Sequence, residues 1–255
     1  MLAFYGRVFR TIEVDATFYG IPAEPVVRLW RERVPRDFQF SLKVPQQITH
    51  EQRLVGVDSA LRKFVERALV LDDALGPLLL QMSPDFHANP ENLATLKAFL
   101  PTLPADVRWA MEFRTSAWIS DDVMDLLGNH GVALVLADSR WHKRDRMLQL
   151  AEQPTADFSY VRWMGGERQF TDYSKPQRDC SEIIQNWADA LRDLSSRVDV
   201  VYGYFNNQFQ GHSPHSVAEL QRVLGIAPVK PTDLHPQGEL FGGAKSEERR
   251  ANDSE

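Results

Sequence analysis

Cysteine is almost absent from this 255-residue chain: Cys180 stands alone, which excludes an internal disulfide framework and a cysteine-based zinc site. It falls in a helical stretch and reads as a small, partly buried packing residue. Long apolar runs are missing too, and none approaches the ~20 residues of a membrane span. The amino-terminal stretch carries Arg7 and Arg10 and lacks the apolar block and cleavage site of a signal peptide. These absences predict a cytoplasmic protein with no membrane segment. An excess of positive charge is also lacking, because 35 Asp and Glu outnumber 29 Lys and Arg, for a formal net charge of -6. No global basic field advertises nucleic acid or an anionic membrane, although a local basic groove survives such an average. Phosphate-loop and dinucleotide glycine fingerprints are absent, as is any HExxH ligand spacing.

What is present is material for a core. Hydrophobic residues make up 43% of the chain and charged residues 25%, enough for one large α/β domain or two small ones. Seven strand-like runs alternate with amphipathic helical stretches: 11–15, 39–44, 77–82, 108–113, 132–138, 158–164 and 199–206. Strand–helix alternation points to parallel strands, in a barrel or a doubly wound sheet. The two-residue period within the strands decides between them. In the first run Ile12 and Val14 alternate with Glu13 and Asp15. Every second residue of the later runs gives Ser41 and Lys43, Leu79 and Gln81, Ala110, Glu112 and Arg114, Leu136 and Asp138, Tyr160 and Arg162, and Tyr204 and Asn206. A doubly wound sheet, covered on both faces, should be apolar throughout. A barrel has one face toward helices and another lining an interior whose mouth can be polar. The expected fold is therefore a TIM-barrel-like parallel (β/α) barrel, with seven strands visible. The first run begins ten residues into the chain, so residues 1–9 read as the end of a helix. With one strand short of eight, the first and last runs are expected not to pair.

The expected organisation is a barrel over residues 1–228 and a flexible tail over 229–255, where Pro, Gly and charged residues dominate. Glu13 and Glu112 are the leading acid–base candidates, since confinement in a barrel mouth raises carboxyl pKa values. Lys43 would stabilise negative charge or form an imine, or simply pair with Glu13. Arg114 and Arg162 suit an anion clamp. His50 and His212 sit in loops that could line the mouth as base or ligand, His50 as a catalytic candidate and His212 as a binding one. Asp15, Gln81 and Asp138 face it by alternation, Asn206 and Asn207 offer hydrogen bonds, and Tyr19 and Trp118 offer stacking surface. For Trp163 the alternation points outward, to the helices. No cofactor is predicted; a divalent metal held by Glu13, Asp15, Glu112, Asp138 and a histidine is the alternative, disfavoured by the neighbouring cations.

Several segments together resemble the YecE-like family, a domain of unknown function with a TIM-barrel-like fold. They are Ile12-Glu-Val-Asp-Ala-Thr-Phe-Tyr-Gly-Ile-Pro22, Phe40-Ser-Leu-Lys-Val-Pro45 with Ile48-Thr-His50, Leu78-Leu-Leu-Gln-Met-Ser-Pro84, Glu112-Phe-Arg114 with Trp118, Tyr160-Val-Arg162 with Gly165, and Tyr204-Phe-Asn-Asn207 with Gly211-His212. The resemblance spans roughly residues 2 to 226. It implies that the family's first strand, with its Gly-Trp loop, has no counterpart here. It also implies that Asp15, Thr115 and Met164 stand where relatives commonly have Asn, His and His. The expected function is an enzyme, hydrolase- or isomerase-like, on a polar anionic substrate such as a sugar phosphate or a nucleic-acid fragment. The competing expectation is a binding protein that uses the same mouth without turnover. In the tail, Gln237, Leu240 and Phe241 match the anchors of the pentapeptide by which bacterial DNA-handling proteins dock on the replication sliding clamp. The alternative is that Leu240 and Phe241 fold back onto the barrel's own helices. Oligomeric state is left open.

Overall fold

The computed structural model describes residues 2–166 and 169–234. Within them seven strands run parallel: β1 (Thr11–Val14), β2 (Gln39–Lys43), β3 (Leu75–Gln81), β4 (Trp109–Glu112), β5 (Val132–Ser139), β6 (Phe158–Gly165) and β7 (Val200–Phe205). Each pairs with the next in chain order, helices cover the outside, and the sheet curls into a nearly closed barrel. The strand ends lie within two residues of those predicted. The clamp-like motif at Gln237, Leu240 and Phe241 lies outside the described residues. No helix among the described residues is long and apolar enough to cross a membrane.

Two apolar layers hold the barrel. The outer layer packs strand residues such as Phe40, Leu42, Leu80 and Met111 against helix residues such as Phe64, Leu96 and Trp187. Trp163 belongs here as predicted, stacked on Phe205 at 4.2 Å and edge-on to Trp187. The inner layer is Leu79, Ala110, Phe158, Tyr160 and Tyr202, with Ala133, Val135 and Ala137 from β5. On that strand the alternation read from sequence is reversed. Cross-strand neighbours share a face, and Ala110 pairs with Ala133 while Arg162 pairs with Ala137. The small residues therefore fill the narrow interior beside the tyrosines. Leu134, Leu136 and Asp138 turn outward, where there is room for bulk.

The helix Leu2–Val8 precedes β1, as the sequence predicted, and sets Tyr5 edge-on to Phe38. Among the described residues no backbone ladder joins β1 to β7. Thr11 Oγ1 and the Tyr204 hydroxyl meet across this seam at 2.8 Å. The seam opens into a groove of about 720 Å3, with Tyr5, Phe9 and Ile12 on one wall and Val201, Leu220 and Leu224 on the other.

Candidate functional site

The polar residues read as inward-facing converge at the carboxyl ends of the strands around Arg162. This guanidinium is 2% exposed and reaches out from β6 to three neighbours. Its Nη2 donates to Glu13 Oε1 at 2.6 Å, and its Nη1 to Glu112 Oε2 at 2.5 Å and to Gln81 Oε1 at 3.3 Å. Glu13 is held a second time by the Tyr160 hydroxyl, which donates to Oε2 at 2.6 Å, with Ser41 Oγ 2.7 Å from the same phenol oxygen. Arg114 stands above, donating from Nη2 to Gln81 Oε1 at 2.7 Å. Its Nε approaches Glu112 Oε1 to 2.7 Å, but out of line: this is an ion contact, and neither atom forms a hydrogen bond. Arg162 Nε is likewise buried without a hydrogen-bond partner.

This arrangement fixes the charge states. Burial pushes the Glu112 carboxyl up, but the charges of Arg162 and Arg114 outweigh it and hold it below its ordinary value. Burial opposes the charge of Arg162, yet Glu13 and Glu112 raise its pKa well above the ordinary guanidinium value. Burial and the Glu13 charge push the Tyr160 phenol well up, so it stays a donor. The raised carboxyl pKa expected for a general acid is not found at Glu112. An ionised carboxylate and two arginines occupy its place.

Above this floor lies a cavity of about 340 Å3, walled by Lys43, Arg114 and Arg162, by Phe18, Tyr19, Gln81 and Met164, and by Asp15. Three cations thus face the cavity against one carboxylate, Asp15, and Glu13 and Glu112 lie behind the cationic wall. Lys43 pairs with Asp15 rather than with Glu13, at 3.7 Å, and its Nζ caps the Phe18 ring 4.2 Å from the centroid. Burial pushes the Lys43 ammonium down, an effect that Asp15 offsets only in part and Arg162 reinforces. His50 lies at the edge: its ring packs edge-on to Phe18 at 4.9 Å, with Nδ1 2.9 Å from Thr49 Oγ1. Burial, then Lys43 and Arg114, lower its pKa, which favours the neutral imidazole. Trp141 extends the rim, 5.8 Å below the Arg114 guanidinium carbon.

Five of the predicted binding residues are elsewhere. Trp118 is 1% exposed, stacked between Phe86 and Phe113, with its indole N–H on the Phe86 carbonyl at 2.6 Å; it is core, not a stacking platform. Asp138 faces the helices, where its carboxylate accepts from Arg144 at 2.6 and 3.1 Å and from Trp187 at 2.8 Å. Asn206 accepts from the Gln208 N–H at 2.9 Å, starting the helix Asn207–Gln210, and Asn207 accepts from the Ser213 N–H at 2.9 Å. Both are spent on backbone capping. His212 is the residue before the helix Ser213–Val223 and does not line the mouth cavity. The metal set written from sequence is not assembled either, since Asp138 is behind the sheet. Among the described residues no three His, Cys, Asp or Glu side chains converge as metal ligands.

Sequence reasoning passed over Tyr160 as a site residue, although its spacing of two from Arg162 places both on one face. Met164 reaches the cavity because Gly165 turns the chain with φ +73°. A Cβ on Gly165 would stand 2.3 Å from the Gln208 carbonyl oxygen, so only glycine fits this close approach. Nothing in the local pattern marked Trp141.

Comparison with known proteins agrees with this architecture. The chain is 32% identical over 141 residues to the UPF0759 protein YecE of Escherichia coli (strain K12), an alignment covering 53% of this chain and 51% of YecE. The chain thus spans about half the length of that relative. It is 23% identical over 244 residues to the UPF0759 protein YunF of Bacillus subtilis (strain 168), covering 87% and 86% of the two chains. Crystal structures of DUF72 family proteins superpose on the barrel. The one from Enterococcus faecalis gives a TM-score of 0.73 at 20% identity, covering 90% of each chain. The one from Thermotoga maritima gives 0.71 at 23% identity, covering 88% of each. The family model for DUF72, a protein of unknown function, matches residues 1–239, and the chain belongs to this family.

Proposed function

We propose that the protein is an enzyme acting on a small anionic substrate, of the size of a sugar phosphate, seated in the barrel mouth. The observation that carries the reading is the charge layout: Lys43, Arg114 and Arg162 face a cavity of about 340 Å3, while the carboxylates that position the arginines lie behind them. That volume is at the small end of ligand sites. Guanidinium and ammonium groups in a confined, partly apolar wall attract phosphate or carboxylate far more strongly than in water. Arg114 is the primary anion grip, because Gln81 and Glu112 fix one edge of its fork and leave the rest toward the cavity. Arg162 is a brace, since both its Nη atoms are committed to Glu13, Glu112 and Gln81.

This division reassigns the acid–base work. Glu13 and Glu112 act as positioning residues; Lys43, with Asp15 beside it, is the group placed to move a proton on the substrate. One observation favours the second reading, a binding protein without turnover: both floor carboxylates are already engaged, Glu13 by hydrogen bonds from Arg162 and Tyr160, and Glu112 by a hydrogen bond from Arg162 and the charge of Arg114. A library of phosphorylated sugars and their unphosphorylated counterparts, screened by thermal shift and then by product detection, tests both. Stabilisation restricted to phosphorylated compounds, with turnover lost in Lys43→Met, supports the enzyme. Stabilisation without product from any of them supports the binding protein. Indifference to the phosphate group contradicts both.

A further inference from the structure

We propose that Lys43 is a covalent-catalysis residue that forms an imine with a carbonyl group of the anionic substrate, which makes the substrate an aldehyde or ketone bearing a phosphate or carboxylate. This rests on the mouth being the anion site. The case begins with how Lys43 is held. It projects from the carboxyl end of β2 with its side chain 12% exposed, and among the described residues the one carboxylate paired with it is Asp15 at 3.7 Å, beyond hydrogen-bond reach. Among the described residues its ammonium donates no hydrogen bond, and it lies over the face of Phe18, 4.2 Å from the ring centroid. A lysine kept only for structure would be expected to satisfy its three N–H groups, or to carry them into water. Here the nitrogen is poorly paired and borders the cavity. It faces the same cavity as Arg114, so a substrate with its anion at Arg114 presents its other end to the amine. Burial, with Arg162 adding to it, shifts Lys43 toward the free amine that such an attack needs.

The chemistry balances with the residues present. Asp15 accepts a proton from the ammonium, and the freed lone pair forms a C–N bond to the carbonyl carbon as the π pair moves to oxygen. That oxygen takes a proton while the nitrogen, now carrying one too many, gives one up. A further proton, returned by Asp15, lets the C–O bond break with water leaving, and nitrogen donates its pair to form the iminium. Overall, ammonium plus carbonyl gives iminium plus water. The iminium is the electron sink, and Asp15 is the proton shuttle that is already beside it.

The test uses the full chain and pyridoxal 5′-phosphate, an aldehyde that carries a phosphate, with sodium borohydride to fix any imine and peptide mapping to locate it. Lys63, Lys97, Lys143, Lys175 and Lys230 are exposed and serve as internal controls. The expected result is labelling of Lys43 about tenfold faster than any surface lysine, because a phosphate held at Arg114 raises the local aldehyde concentration. Excess inorganic phosphate suppresses it, and Lys43→Arg removes it. The wild-type map stands by itself should that variant fold poorly. Lys43 labelled no faster than the surface lysines, while calorimetry still detects phosphate in the mouth, overturns the imine and leaves the anion site standing. Loss of both selective labelling and phosphate binding overturns the two together.

Discussion

Glu112 on β4 and Asp138 on β5 stand at the carboxyl ends of neighbouring strands, are both buried, and are both paired with arginine, yet they belong to different regions of the molecule. Glu112 faces the interior and supports Arg162 and Arg114 beneath the cavity. Asp138 faces the helices and ties β5 to Trp187 and Arg144. The difference comes from register: Glu112 sits beside Gln81, an interior residue, whereas Asp138 sits beside Trp163, an outer one. Buried carboxylates paired with arginine are therefore not by themselves a site. What makes the first a candidate site is the open cationic face above it.

The largest expected effect is on stability, at Glu112. Glu112→Gln leaves Arg162 with one buried counter-charge and should cost about 3 kcal/mol in urea denaturation, within the range for breaking a buried ion pair. Phosphate affinity should fall with it, because Arg114 loses its brace. The same carboxylate carries a pH signature. Its folded-state pKa lies below the ordinary 4.5, so between those two values the unfolded chain binds more protons. The contribution is full above 4.5 and is lost as pH falls through the depressed folded value; Glu112→Gln should flatten this part of the acid limb.

Next in size is Arg114→Met. It should weaken phosphate binding about tenfold to a hundredfold, as expected for a lost charge-assisted hydrogen-bond pair, with a smaller change in melting temperature. Asp138→Asn is the counterpart behind the sheet. It should cost about 1–2 kcal/mol, since the amide oxygen still accepts from Trp187 or Arg144 and Arg144 can turn to water. Phosphate affinity should not change; a loss there would mean that the two regions are coupled and the distinction false. Tyr19→Ala is the smallest, below about 0.5 kcal/mol in stability, because the ring is 77% exposed.

The fold was legible because polarity and period coincide on most strands. On β6, Tyr160 and Arg162 alternate with Val161 and Trp163, and the polar set marks the interior. On β5, Ala, Val and Leu differ in size but not in polarity, so the lone Asp138 drew the reading to the wrong face. Only the register of the neighbouring strands resolves that. Trp118 was misplaced because an aromatic after a strand looks alike whether its turn exposes it or tucks it between Phe86 and Phe113. Asn206 and Asn207 were misread because an asparagine that caps a helix and one that binds a ligand use the same carbonyl. The mouth itself could be read, in Glu13, Lys43, Gln81, Glu112, Arg114 and Arg162. Their division into floor and wall could not, since it depends on distances between strands far apart in sequence.

On the proposed function, the mouth grips an anion through a cationic wall set on buried carboxylates. Titration calorimetry with inorganic phosphate, on the wild type, Arg114→Met and Asp138→Asn at one ionic strength, measures that grip. The expected result is one phosphate bound by the wild type, the same affinity in Asp138→Asn, and a loss of at least about tenfold in Arg114→Met. Undiminished binding in Arg114→Met, or no binding by the wild type, would contradict it.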